Sequence, residues 1–449
     1  MKHPKAGKGS HPKEAEFSTP KKRLATNKNL FMVACFTMPK KETKFDVIIS
    51  GAGPAGSACA TFLARKGIKV LVLDKARFPR DKTCGDAISG KSVSVIRELG
   101  MEKEIEKNYH AKIYGVTLSS PNGNMFTVDI PERNGLKAYG YCARREVFDN
   151  IVFQMASKEK NVTIMQRTQV TGLRIEGNAV KGITATNLEN NEALEFDANI
   201  VVGADGAHSP VATALGVNKV ENEHYCTAVR AYYEGIEGMT DKIEIHFIDE
   251  VMPGYFWIFP IENGMANVGV GMLFSDLKKR NVNLKTAMHS AMYNNALFKE
   301  RFKGAKQVGE IKGWTLPLGS KRRKLAFNGA VLLGDAGSLI DPFSGEGVGN
   351  ALTSAMLASP VIEKALKTND FSENVFKEYE DNVWKELGPE LETSYKMQRL
   401  GRYKWLLNFT IGKAAKKKEL RDLIAHSLVQ EGAMKNLVSP LGLIRMFLL

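Results

Sequence analysis

No apolar run in the 449 residues approaches the roughly 20 needed to cross a bilayer. LFMVACFTM near the start and LIRMFLL at the end both fall well short, so no spanning helix is expected. Cysteine is sparse: five residues, at 35, 59, 84, 142 and 226, form no Cys-x-x-Cys pair and no metal-ligand spacing. Reduced thiols in a cytosolic protein are the simplest reading. The eight histidines are scattered, which suggests neither a catalytic triad nor a metal site. No internal repeat is visible. An excess of either charge is missing from the body, where residues 45–395 hold 41 Lys/Arg against 43 Asp/Glu. That balance argues against a basic nucleic-acid groove running through the fold.

What is present is ordinary globular composition, 43% hydrophobic and 25% charged, enough chain for two or three domains with large cores. The basicity sits at the ends: eleven Lys/Arg against three Asp/Glu in residues 1–44, and nine against one in 396–421. Residues 1–43, rich in Lys, Pro, Ser and Thr, read as a disordered basic extension. LFMVACFTM resembles a short signal core, and Cys35 a lipoprotein cysteine, but no small-residue cleavage pattern follows and a strand begins within about ten residues. A tail is the preferred reading, or a start at Met32 or Met38.

From Phe45 the pattern becomes regular. DVIIS is a buried-strand run, SACATFLARKG a helix with Ala55, Cys59, Phe62 and Leu63 on one face, and KVLVLD a second strand. Short strands are expected over 110–140, a helix over 144–158, strands over 161–202, and several alternating strands over 224–272. After AVLLGD at 330–335 helices are expected from Gly347 to Lys367 and from Phe371 to Leu449.

Gly51-x-Gly53-x-x-Gly56 follows the first strand directly and opens the helix, and Asp74 ends the next strand. Gly51 permits the tight turn, Gly53 lets a pyrophosphate approach the backbone, Gly56 lets helix and strand pack closely, and Asp74 accepts from an adenosine ribose. The helix N-terminus offers free N–H groups and positive dipole to phosphates. Pro54, Ala55 and Lys75 are counted with this dinucleotide site, which by itself does not distinguish NAD from FAD.

VVGADGAHSPVATALG (201–216) and AVLLGDAGSLIDPFSGEGVGNAL (330–352) resemble the second and third flavin-binding motifs of aromatic-hydroxylase-like flavoproteins, and RREVFDNIV (144–152) resembles the Arg-x-x-Phe-Asp segment between them. That resemblance implies FAD. It would place Asp335 at the ribityl chain and Pro342, Gly345 and Gly347 along the ring, with Gly334 and Val348 also counted as cofactor-binding. Asp205 would brace the loop beneath, and Arg145 would lie near the phosphate-ribose part. The helix starting near Glu346 would aim its N-terminus into the site and stabilise an anionic reduced flavin.

FPRDKTCGDAIS (78–89) and GYFWIFPIENGMANVGVGM (254–272) further resemble the geranylgeranyl reductase family of FAD-dependent oxidoreductases, over roughly residues 44–360. Tyr255-x-Trp257-x-Phe259-Pro260 departs from the Trp-x-Trp-x-Ile-Pro of the related flavin halogenases. The resemblance implies a Rossmann-type FAD-binding domain with an inserted antiparallel-sheet substrate domain and a helical C-terminal region. The boundaries expected are 44–110, 144–215 and 320–367 for the first, 111–143 and 216–319 for the second, and 368–449 for the third. It also implies reduction of carbon–carbon double bonds in an isoprenoid or other polyene by hydride transfer from reduced flavin, while an acid protonates the second carbon. Cys84 and Gly85 would lie beside the ring, with Cys84 as a candidate proton donor. Tyr255 and Trp257 would stabilise charge developing on a tertiary carbon. Phe247, Phe256, Ile258 and Phe259 are candidates to floor an apolar channel.

No second glycine fingerprint opens a helix, so the electron donor is expected to be NAD(P)H acting at the flavin face or a reduced ferredoxin-like protein. MQRLGRYKWLLNFTIGKAAKKKELRDL (397–423) combines Trp405, Leu406, Phe409 and Ile411 with eight Lys/Arg. It suits either peripheral contact with an anionic membrane or packing on the protein body. The expected setting is the cytoplasm, with the inner membrane face as the surface touched. Two alternatives use the same scaffold: an FAD-dependent monooxygenase of aromatic or polyene substrates, and a non-catalytic flavin-binding electron carrier.

Overall fold

The computed structural model describes residues 43–88, 90–130 and 139–429. The basic extension up to residue 42, with Cys35, Met32 and Met38, and the expected helix over 430–449 lie outside the described residues. Strand β1 (Lys44–Ser50) occupies the middle of an eight-stranded sheet. It pairs in parallel with Val70–Asp74 on one side and Ala193–Gly203 on the other. Val162–Gln166 and Ala330–Leu332 extend the parallel part outward, and two antiparallel strands, Ala179–Asn187 and Thr168–Glu176, add to Ala193–Gly203. Strands covered on both faces carry apolar residues at every position rather than at alternate ones, which is the pattern of DVIIS, VLVL and NIVVG.

Helix α1 (Pro54–Ala64) lies on this sheet. Ala55, Cys59 and Leu63 are buried as their spacing predicts, and Phe62 is only half-buried. The rest of the helix is buried too, because the long helix Val348–Thr368 packs against its other side. One amphipathic stripe would leave that second side in water; a second helical layer removes it.

A seven-stranded sheet runs in the order Lys306–Pro317, Tyr225–Glu234, Met265–Leu273, Tyr255–Pro260, Lys242–His246, Gly115–Ser119, Met125–Asp129. Its pairings are antiparallel except between Lys242–His246 and Gly115–Ser119. Helix Leu284–Tyr293 buries Ala287, Met288, Ala291 and Met292 against one face, over Phe256, Ile258, Val268 and Val270. Ala87–Ile88, Gly140–Cys142 and Ala111–Ile113 form a small third sheet.

The chain is then helical to the end of the described residues, through Glu373–Glu386, Gly388–Leu400, Lys404–Lys416 and Lys418–Val429. The last two helices pack on strand Met125–Asp129: Ile411, Ala414 and Leu420 are buried with Phe126, Val128 and Phe247. Full burial of each large apolar side chain there is worth about 1.5–3 kcal/mol. The apolar face of the basic segment is thereby committed to the protein body. Tyr403 and Trp405 remain outside, 55% and 60% exposed.

Candidate active site

Three loops far apart in sequence meet at the carboxyl ends of the parallel strands around β1, the crevice where open α/β sheets bind ligands. At the first, Gly51 has φ +97° and a Cβ there would lie 2.5 Å from Ala204 O, so only glycine makes this turn against the second loop. A Cβ on Gly56 would lie 1.9 Å from Gly51 O, which is the close helix–strand approach that the spacing requires. Ser50 Oγ donates to Asp205 Oδ2 at 2.8 Å, tying strand β1 to the second loop. Gly334 opens the third loop with φ +54°, and its Cβ would meet Ala351 at 3.0 Å and Ala55 at 3.6 Å. Asp335 lies beside Gly347, whose Cβ would sit 3.4 Å from Asp335 Oδ1.

The residues present fit FAD. Gly53 has extended backbone and no side chain caps the helix it begins; a Cβ there would meet nothing nearer than Arg80 Nη2 at 3.5 Å. The amides of the first turn are thus open to an anion, as a pyrophosphate requires. Trp314 lines the same cavity with its Nε1 buried and unpartnered within the protein, so that donor has no acceptor until something enters. Asp74 Oδ2 accepts from Ala52 N and Oδ1 from Ala76 N, both at 2.8 Å. Each oxygen keeps a lone pair for a ribose hydroxyl. Asp74 and the exposed Lys75 stand off the cavity wall, as do Gly51, Gly56, Asp205 and Gly334. The helix after the third loop begins at Val348, and Glu346 Oε1 already accepts from Gly349 N at 2.6 Å. Its positive end is therefore partly satisfied by the protein's own carboxylate, unlike that of α1.

A cavity of about 1530 Å³ joins these loops to the seven-stranded sheet. Gly53, Pro54, Ala55, Cys84, Gly85 and Arg145 line it, as do Asp335, Pro342, Gly345, Gly347 and Val348. An aromatic ladder crosses it: Phe343–Phe247, Phe247–Tyr255, Tyr255–Trp257 and Trp257–Phe259 have ring centroids 6.1, 6.5, 6.0 and 6.2 Å apart. Tyr255, Trp257 and Phe259 alternate along one strand and so share its cavity face. Phe256 and Ile258 therefore do not floor the channel, contrary to expectation: period two turns them into the core under helix Leu284–Tyr293, fully buried. Tyr255 OH donates to Ser344 O at 2.7 Å, joining the ladder to the third loop. Beyond Phe247 the cavity runs between Val116, Leu118, Phe126 and Val128 on the sheet and Leu407 and Ile411 on helix Lys404–Lys416.

The sequence assigned no role to Lys82, Asp86, Tyr232 or Asn267, and it placed Arg145 only near the phosphate-ribose part of the cofactor. Lys82 Nζ lies 3.9 Å from Asp335 Oδ2 and over the Trp314 ring, and burial lowers its pKa. Arg145 is buried, donates both ways to Asp149, and has the Cys84 thiol beside it. Asp86 Oδ2 accepts from Asn267 Nδ2 and from Tyr232 OH, both at 2.8 Å. Asn267 Oδ1 accepts from Trp257 Nε1 at 2.9 Å. Lys82 and Asp86 lie in the FPRDKTCGDAIS segment and Asn267 in GYFWIFPIENGMANVGVGM, but neither segment marks what these side chains bond.

Burial pushes the Asp86 carboxyl up from 3.8 to about 6, against the hydrogen bonds from Asn267 and Tyr232 and the charge of Arg230. The folded protein thus binds this proton more tightly than the unfolded chain, and the Asp86 contribution to stability falls as pH rises from about 4 to about 6, then stays level. The melting temperature of the wild type relative to Asp86→Asn is expected to drop across that window and to hold a constant offset above it. Melting curves offset equally at every pH would show that the carboxyl titrates normally.

A parallel sheet with a glycine cradle at its first turn, closed by two further loops onto one cavity, defines an FAD-binding oxidoreductase; the family model described as "FAD binding domain" matches residues 44–381. The digeranylgeranylglycerophospholipid reductase 1 of Methanococcoides burtonii is 31% identical over 352 residues, 78% of this chain and 81% of that protein. The menaquinone reductase of Mycobacterium tuberculosis is 30% identical over 71% of this chain and 76% of its own. Among solved structures, a geranylgeranyl bacteriochlorophyll reductase-like protein from Thermoplasma acidophilum superposes with TM-score 0.76 at 21% identity, covering 88% of this chain and 99% of that one. This chain belongs to the geranylgeranyl reductase family of FAD-dependent oxidoreductases.

Proposed function

We propose that this protein reduces carbon–carbon double bonds in an isoprenoid chain carried by a lipid or a quinone, substrates named for its relatives. The observation that carries the reading is the aromatic ladder, which leads from the third glycine loop into an apolar arm of the cavity. An isolated alkene is not polarised, so reduction builds positive charge on a tertiary carbon. The faces of Trp257 and Tyr255 stabilise such charge by about 0.5–2 kcal/mol when water is excluded. FAD, when bound, supplies the two-electron chemistry. Gly53, Pro54 and Ala55, on the turn shaped by Gly51 and Gly56 with Asp74 and Lys75 behind it, would hold its dinucleotide part, and Asp335, Pro342, Gly345, Gly347 and Val348, on the loop opened by Gly334, would hold the remainder, with Asp205 bracing the second loop. Cys84 Sγ, beside Arg145, holds the proton that the second alkene carbon receives. Tyr255 OH, anchored on Ser344 O, keeps the third loop closed on the ladder.

In this reading segments 44–110, 144–215 and 320–367 bind the cofactor, 111–143 and 216–319 receive the substrate, and the helical region from 368 to the end of the described residues closes the apolar arm. NAD(P)H or a ferredoxin-like protein delivers electrons at the same site. Among the described residues no helix is long and apolar enough to cross a membrane. Exposed Tyr403 and Trp405, with Lys404 and the lysines of 416–418, suit peripheral contact with an anionic cytoplasmic membrane face. Because Leu406, Leu407 and Thr410 of the same helix line the cavity, that contact would bring the lipid phase within one helix diameter of the site.

The test is anaerobic turnover of a prenyl lipid presented in anionic vesicles, read as mass gained per reduced double bond. Saturated product without oxygen supports the reductase; product only in air would assign an oxygenase, and none under either condition an electron carrier. The same vesicles should co-sediment the protein at low salt and release it at high salt, more readily for Trp405→Ala. Binding that ignores salt would overturn the electrostatic contact.

A further inference from the structure

Asn267 has no exposed surface, yet each polar atom of its carboxamide is used on a different element. Oδ1 accepts from Trp257 Nε1 at 2.9 Å, and Nδ2 donates to Cys84 O at 2.7 Å and to Asp86 Oδ2 at 2.8 Å. The strand register explains the reach. Asn267 pairs with Phe259 and Gly269 with Trp257, so Asn267 and Trp257 are diagonal neighbours on the cavity face. A Cβ on Gly269 would lie 2.3 Å from Trp257 Cζ2. The missing side chain at 269 lets the indole lie across the strand, and the carboxamide at 267 catches its nitrogen.

The turn on the other side of Asn267 needs holding. Asp86 has φ +67°, the left-handed region that a non-glycine residue occupies only when its surroundings impose it. Its fixings come from both sides: Asn267 and Tyr232 from the sheet, and Arg145 N and Ala143 N, donating to Oδ1 at 3.3 Å and to the carbonyl at 3.0 Å, from the segment leading into helix Arg145–Ser157. No other side chain of this length supplies one acceptor and two donors in a plane. Aspartate keeps the acceptor and loses both donors, and leucine loses all three.

We propose that Asn267 is a positioning residue that locks the Cys84–Asp86 turn to the Trp257 ring, so that the proton-bearing and charge-stabilising sides of the site move as one unit. This rests on the roles given to Cys84 and Trp257 above, and the test is read without substrate so that the two can fail separately. In the FAD-loaded protein, alkylation of Cys84 by iodoacetamide is followed by peptide mass spectrometry. Asn267→Leu is expected to speed alkylation of Cys84 at least about tenfold while Cys59 and Cys142, fully buried, stay protected. An unchanged Cys84 rate overturns the proposal.

Should Asn267→Leu expose Cys59 and Cys142 as well, the fold has given way and Asn267→Asp carries the test. There a carboxylate faces the Asp86 carboxylate, and a proton shared between them restores one donor as pH falls. The Cys84 rate of that variant, divided by the wild-type rate at each pH, should fall towards one between about pH 8 and about pH 5; a flat ratio overturns the proposal. Turnover by the wild type, measured separately, decides the reading on which it rests.

Discussion

Gly53→Glu is expected to give a folded, colourless protein. The backbone at Gly53 is extended and tolerates any residue, and a Cβ there finds 3.5 Å of room, so the apo fold has no reason to fail. The new side chain would instead stand before the uncapped first turn of helix α1, where a pyrophosphate must sit. A like charge about 4 Å away costs about 4 kcal/mol at an effective dielectric of about 20, which is roughly a thousandfold in affinity. Absorbance of the purified protein, with and without added FAD, reads the loss, and an unchanged melting curve of the apo form separates it from misfolding. Retention of bound flavin would mean that the glycine turn does not face the phosphates. Gly56→Val would be less informative, since its side chain would strike the Gly51 carbonyl and unfold the turn itself.

Cys84→Ala is expected to keep FAD at full occupancy and to lose at least about 100-fold in alkene turnover, the lower end for removal of a positioned general acid. Cys84 is half-buried on the cavity wall with Arg145 beside it. The other described thiols are poor substitutes. Cys59 and Cys142 are buried away from the wall, and Cys226, which does line it, has its thiol pushed up to about 12 by burial. Deleting one sulfur from a part-exposed position changes little in packing, so a fall in stability should be small. The assay is single-turnover reaction of the chemically reduced enzyme with a prenyl substrate under anaerobic conditions. Wild-type rates in the variant would remove Cys84 from the chemistry.

Much of the cofactor region was readable because its constraints act on the backbone. Gly51, Gly56 and Gly334 stand where a Cβ would strike a carbonyl or a neighbouring helix, and such positions leave a mark in one sequence. The parallel strands were legible for a similar reason, since burial on both faces makes every residue apolar. The Cys84–Asn267–Trp257 bond set was not, because it depends on the register between two strands and on a turn more than 180 residues from Asn267. Phe256 and Ile258 were misplaced because an all-apolar strand hides its alternation: YFWIFP offers no polar residue to mark which face meets solvent or ligand. The basic C-terminal segment was ambiguous for a third reason. An apolar stripe with lysines around it has the same pattern whether it meets lipid or protein, and only the presence of Phe126 and Val128 opposite Ile411 and Ala414 shows that protein takes it.

Strand Tyr255–Pro260 is spoken for on both sides. Tyr255, Trp257 and Phe259 floor the cavity, and Phe256 and Ile258 seal the core beneath helix Leu284–Tyr293. A slip of one residue in its pairing would exchange cavity-facing rings for core-facing ones wholesale. The cavity floor and the core therefore draw on the same short strand, and variation tuning the enzyme to a new lipid has little freedom there. It is more readily accommodated where the apolar arm is walled by Leu406, Leu407 and Thr410, on a helix that can be resculpted without disturbing the reacting centre.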